Sequence, residues 1–145
     1  MSKKNEIKTD MKAFVILLFL IFGITIFMFV LKPANPLPDK SDYLTLEEEQ
    51  LALAQGKTLI KVFYKTYCPY CKQESAELEK LQQGNSNVII EWFNVGETFD
   101  RRVSQELGKY DFDGVPFLVF MKGNKQRTKV GYSSLQELEE VISQL

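Results

Sequence analysis

Between Thr58 and Gly84 the chain sets a strand-like run ahead of a close cysteine pair and a helix-length segment. The run is Thr58-Leu59-Ile60-Lys61-Val62-Phe63-Tyr64, and Cys68-Pro69-Tyr70-Cys71 follows it. β-Branched and aromatic residues favour a pleated strand. Proline is tolerated in the first turn of a helix, where its missing N–H costs nothing. The pattern therefore predicts a strand, a short turn, and a helix that starts at the cysteines and runs through Glu77 and Leu81 to about Gly84. Unpaired amides and the helix dipole at such an N-terminus favour a thiolate on Cys68, and the thiolate is the nucleophile. The spacing of three puts Cys71 within one turn, close enough to attack a mixed disulfide at Cys68. Three blander readings of the pair stay open. It fits a structural disulfide closing a tiny loop, which stabilises little. It also fits half of a zinc site completed by a partner chain, or a surface pair handling Cu(I).

Composition narrows the chemistry further. The chain has two cysteines and no histidine. A Ser-His-Asp triad, a Cys-His pair or a histidine-containing metal site is therefore impossible within it. Two cysteines do not complete a four-ligand zinc site, and neither a metal nor a cofactor is expected. A net charge of -1 supplies no basic footprint for nucleic acid.

The remaining segments predict an α/β fold. Thr45, with Glu48 three positions on, reads as a helix start, and that helix should end near Gly56. Val88–Val95 reads as a second strand and Thr98 to about Lys109 as a helix. Phe117–Met121, a turn over Lys122-Gly123-Asn124-Lys125, and Arg127–Gly131 read as a hairpin. Ser133 or Ser134 caps a closing helix carrying Leu135, Leu138, Val141 and Ile142. This order implies a mixed sheet with helices on both faces.

Upstream, Ala13–Leu31 is apolar and free of charge. As a helix it spans about 28 Å at a rise of about 1.5 Å per residue, near the thickness of a bilayer core. It is longer than a signal-peptide core, and Phe29-Val30-Leu31-Lys32-Pro33 offers no small-x-small cleavage site. Lys3, Lys4, Lys8 and Lys12 precede the run, whereas Lys32 alone follows it directly, so the positive-inside rule puts the N-terminus in the cytoplasm. Residues 32–42, with Pro33, Pro36 and Pro38, read as a semi-rigid tether. The expected organisation is a cytoplasmic segment (1–12), one transmembrane anchor (13–31), a proline-rich linker (32–42) and an extracytoplasmic domain (43–145).

Three motifs, in order, resemble the thioredoxin-like superfamily over roughly residues 45–145. They are Tyr67-Cys68-Pro69-Tyr70-Cys71-Lys72, Phe112-Asp113-Gly114-Val115-Pro116-Phe117-Leu118-Val119-Phe120, and Lys129-Val130-Gly131-Tyr132. The resemblance implies a thioredoxin-like fold and a redox disulfide between Cys68 and Cys71. It also implies a cis Val115–Pro116 bond facing the pair, a proline edge that disfavours metal, and substrate contacts at Tyr67, Pro69, Tyr70, Val115 and Pro116. Two family features are replaced. A buried aspartate six residues before the first cysteine is Val62 here, and a kinking proline after the second is Ala76. The dipeptide Pro69-Tyr70 is similar to that of glutaredoxins.

With an anchor and an outside domain, the chain is similar to the thioredoxin-like accessory proteins of Gram-positive bacteria. Some of those assist export or disulfide formation of secreted peptides such as bacteriocins. The implied activity is thiol–disulfide exchange. It would more readily oxidise or isomerise than reduce exported proteins or peptides, beside membrane lipid and with a membrane or extracytoplasmic redox partner. The competing expectation is a non-enzymatic adaptor in a membrane secretion or transfer complex, with Tyr64, Tyr67, Tyr70 and Phe117 on its binding surface.

Overall fold

The computed structural model describes residues 14–23, 37–96, 100–111 and 113–145. The chain divides into two compact units, Met1–Pro33 and Ala34–Leu145. In the first, residues 14–23 form α1, an apolar helix whose large side chains are exposed. Among the described residues no helix is long and apolar enough to cross a membrane. The rest of the expected Ala13–Leu31 span lies outside the described residues.

The second unit runs α2 (Leu46–Ala54), β1 (Thr58–Tyr64), α3 (Pro69–Gly84), β2 (Val88–Asn94), α4 (Arg101–Leu107), β3 (Phe117–Lys122), β4 (Lys125–Val130) and α5 (Leu135–Ser143). The sheet order is β2-β1-β3-β4. β1 pairs parallel with β2 and antiparallel with β3, and β3 pairs antiparallel with β4. A parallel neighbour demands a long crossover, and α3 supplies it.

Both faces of the sheet are covered. On one face Ile60 and Val62 of β1 meet Leu78 and Leu81 of α3, Leu118 and Phe120 of β3, and Leu138 of α5. On the other, Phe63, Phe93, Phe117 and Val119 pack with Val103 of α4, and Glu49 of α2 reaches Lys61. Every residue of β1 is buried as a result, which explains its nearly continuous apolar run. Leu78 is fully buried, so truncating it to alanine costs about 2–5 kcal/mol.

Helix ends follow local chemistry. Thr45 and Glu48 form a reciprocal capping box at α2, and Ser134 with Glu137 forms another at α5. Of the two candidate serines, Ser134 is therefore the cap, and Ser133 is buried. α4 starts later than expected, at Arg101, because the Asp100 carboxylate accepts from the N–H groups of Arg102 and Val103. Residues 97–99 lie outside the described ones. β4 starts earlier than expected, at Lys125, which pairs directly with Lys122. Gly123, at φ +57°, opens a two-residue turn of the kind that suits a tight hairpin.

Leu37–Asp42, read from the sequence as the end of a tether, lie against the domain. Asp42 bridges Trp92, and Leu37 is buried.

Candidate redox site

The site forms where β1 ends and α3 begins. Cys68 is the N-cap of α3, with extended backbone, and Pro69 occupies the first helical position. The N–H of Cys71 donates to Cys68 Sγ at 3.1 Å. A sulfur held there meets an unpaired amide and the positive end of a helix of 16 residues, which favours negative charge on it. Cys68 and Cys71 form a disulfide, with Cα atoms 5.2 Å apart. Cys68 is half-buried, whereas Cys71 is 1% exposed. An incoming sulfur therefore reaches Cys68 first.

Val115–Pro116 is cis, as the resemblance implies. Its loop faces the pair: Val115 O lies 4.0 Å from Cys68 Sγ. The loop is braced from behind, because the Gly131 N–H donates to Pro116 O at 2.8 Å. Gly131 adopts φ +83°, a conformation that glycine reaches without steric cost.

The other expected site residues divide by exposure. Tyr67 is 93% exposed and Tyr70 62%, and Pro69 is exposed beside them. Val115 is half-buried and Pro116 buried. The tyrosines present large amphipathic surface beside Cys68, a residue type suited to contact surfaces. Tyr64 and Phe117, expected on an adaptor surface, are instead core residues. β1 and β3 point them inward, so they are unavailable to a partner. Lys65 and Lys72 are exposed. Phe112 lies outside the described residues.

The acid position six residues before Cys68 is apolar in structure as well as in sequence. Val62 pairs with Trp92 across β1 and β2. A different carboxyl lies one turn beyond Cys71. Glu74 is fully buried, accepts from the Ser133 N–H at 2.6 Å, and leaves Oε1 without a partner. Burial pushes it up to about 7, against the opposing pull of Ser133 and Lys129. Sequence reading missed Glu74 because an acid in a polar-rich helix normally faces water.

A second buried group was also missed. Lys61 Nζ lies 2.8 Å from Glu49 and 2.9 Å from Glu106. Arg102 pairs with the same two carboxylates. A lysine in the middle of an otherwise apolar strand was the available signal.

Comparison with known proteins agrees with this geometry. The thioredoxin-like domain pattern matches residues 47–145. Thioredoxin-2 of Saccharomyces cerevisiae is 31% identical over 97 residues, covering 66% of this chain and 88% of that protein. The chloroplastic thioredoxin-like protein HCF164 of Arabidopsis thaliana is 30% identical over 97 residues, 65% of this chain. The match spans only 36% of HCF164. Among solved structures, chloroplastic thioredoxin z superposes with a TM-score of 0.55 at 21% identity, over 74% of this chain and 96% of that one. Oxidised mitochondrial thioredoxin 3 of Saccharomyces cerevisiae gives 0.53 at 25% identity, over 73% and 95%. The pair at disulfide distance, on this fold, is consistent with thiol–disulfide exchange. The chain belongs to the thioredoxin-like domain family.

Proposed function

We propose that the protein is a membrane-anchored thiol–disulfide oxidoreductase that oxidises or isomerises exported proteins or peptides. The observation that carries the activity is the asymmetry of the pair. Cys68 is accessible at a helix N-terminus, and Cys71 is sealed behind it. In the oxidising direction a substrate thiolate attacks Cys68 Sγ. The Cys68–Cys71 bond breaks, and Cys71 leaves with the electron pair and takes up a proton. A second substrate thiolate then attacks the substrate sulfur of the mixed disulfide and releases Cys68. The substrate dithiol has lost two electrons and the enzyme pair has gained them, so a redox partner must reoxidise it. The apolar Val62–Trp92 pair supports this direction, because no proton acceptor there assists Cys71 as an attacking thiolate.

The anchoring reading is supported by the uncharged run Ala13–Leu31 and by the lysines ahead of it. It places the redox domain outside the cytoplasm, where disulfides persist.

The test is the reduction potential of Cys68–Cys71 in the full chain. A value near about -120 mV marks a disulfide donor, and one near about -270 mV a reductant. A pair that forms no reversible disulfide overturns the enzyme reading. Alkaline extraction of membranes checks the anchor separately, since release of the chain into the wash would refute it.

A further inference from the structure

The family match begins at residue 47, yet residues ahead of it are built into the redox site. Leu37 is 6% exposed and clusters with Tyr64 and Cys71, against which Cys68, Trp92 and Val115 pack. The segment from Leu37 to Asp42 is held along its length. The Tyr64 hydroxyl donates to Pro38 O at 2.6 Å and lies 3.2 Å from Lys40 O. Asn94 donates its side-chain amide to Asp39 O at 3.3 Å and its backbone N–H to Ser41 Oγ at 2.9 Å. Asp42 and Trp92 exchange backbone hydrogen bonds of 2.8 and 2.6 Å. Tyr64, Trp92 and Asn94 sit at the ends of β1 and β2 nearest the cysteines. Tyr64 also meets Trp92 edge to face, with ring centroids 5.6 Å apart.

We propose that Leu37–Asp42 is a strap belonging to the redox site, with Leu37 and Tyr64 as positioning residues that shield Cys71 so that it exchanges only with Cys68. The proposal rests on the exchange activity argued above and adds to it residues that lie ahead of the matched domain pattern. Its physical basis is access. A thiol reacts with outside reagents according to its thiolate fraction and its exposure. An apolar cover reduces both, because burial disfavours the charged form. Cys68 shields Cys71 on the outer side, and the Leu37–Tyr64 cluster shields it on the inner side. With the inner cover lifted, a small disulfide such as glutathione disulfide reaches Cys71 Sγ directly. Attack by the Cys71 thiolate on that disulfide forms a Cys71–glutathione bond and releases one glutathione thiolate. That side reaction bypasses Cys68 as the point of entry, and Cys68 then displaces the glutathione to close the Cys68–Cys71 disulfide.

The experiment uses the full chain, reduced with dithiothreitol and freed of reductant. Iodoacetamide alkylation is followed separately at Cys68 and Cys71 by peptide mass analysis. Tyr64→Phe removes both strap contacts of the hydroxyl and keeps the ring, and Leu37→Ala shortens the cover itself. The expected result is a rise of about tenfold or more in the Cys71 rate for Leu37→Ala, a smaller rise for Tyr64→Phe, and an unchanged Cys68 rate. In a Cys68→Ser background, where no neighbouring thiol can displace it, glutathione should be found on Cys71 after glutathione disulfide treatment in the Leu37→Ala variant and not in the chain that keeps Leu37. Circular dichroism identifies variants that retain the fold. If Leu37→Ala does not fold, Tyr64→Phe decides. An unchanged Cys71 rate in a folded variant overturns the strap, as does a parallel rise at both cysteines. Failure of the exchange reading shows separately, as a reduced parent pair that oxidant does not convert to a disulfide. The two thiols are then both free, and the alkylation pattern still reports the strap.

Discussion

Replacing Lys61 with methionine tests how the redox domain tolerates charge in its interior. Lys61 is 2% exposed, and its ammonium sits between Glu49 and Glu106, whose side chains are also buried. Burial alone would push Lys61 down, but the hydrogen bonds and charges of the two glutamates hold it above its usual range. Burial likewise opposes ionisation of Glu106, but Lys109 and Lys61 hold it below the carboxylate norm. Breaking a buried pair from one side costs about 3–5 kcal/mol, because the other charge is left uncompensated. Here Glu49 keeps Arg102, and Glu106 keeps Arg102 at 3.4 Å and Lys109 at 2.6 Å. The lower end, about 3 kcal/mol, is therefore expected. Domains of this size are stable by about 5–15 kcal/mol, so Lys61→Met should still fold. At about 4 °C per kcal/mol, Tm should fall by about 12 °C. Thermal unfolding followed by circular dichroism measures it. The double variant Lys61→Met, Glu49→Gln should lose less than the sum of the single changes, since it removes both the cation and one stranded anion. A drop in Tm below about 4 °C for Lys61→Met, or strict additivity in the double variant, would refute the reasoning.

Three further outcomes are expected. Glu74 titrates at about 7 in the fold, against an ordinary 4.5. Its folded value is raised, so the stability it contributes is full below about 4.5 and is lost as pH rises through about 7. Glu74→Gln should therefore gain Tm relative to the parent at pH 8 compared with pH 5, and an equal difference at both pH values counts against it. Ser134→Ala removes one half of the α5 capping box and should cost about 1 kcal/mol in urea unfolding; a change inside measurement error would show that the cap is dispensable. Cys71→Ser should accumulate mixed disulfides at Cys68 on non-reducing gels, whereas the double Cys68→Ser, Cys71→Ser variant should lose all exchange with a dithiol substrate. Full biological function in that double variant would favour an adaptor.

The parts of the fold legible in the sequence were those whose cause is local. Thr58–Tyr64 declared itself as a strand because both its faces meet core, and the capping box at Thr45 lies within four residues of its partner, whereas the structure was needed to choose Ser134 over Ser133 as the cap of α5. Cys68-Pro69-Tyr70-Cys71 could be placed at a helix start because proline and N-cap preferences act over one turn. Illegible features depend on what the sheet brings together. Glu49, Lys61 and Glu106 stand 12 and 45 residues apart in sequence, so nothing local marks them as one buried network. Glu74 is buried because α5 arrives opposite it, with Ser133 59 residues away. The proline-rich stretch before Asp42 reads as a tether by composition, since proline favours extended chain. Composition carries no information on what an extended chain lies against. Leu37 is an apolar residue among prolines, and only the meeting of Tyr64, Trp92 and Cys71 beneath it gives it a burial site. The cysteine pair was thus readable as chemistry, whereas the enclosure that confines Cys71 is a tertiary property. A reading limited to the family domain, which begins ten residues after Leu37, would leave that enclosure out and would assign to the cysteine motif alone a selectivity that the strap shares.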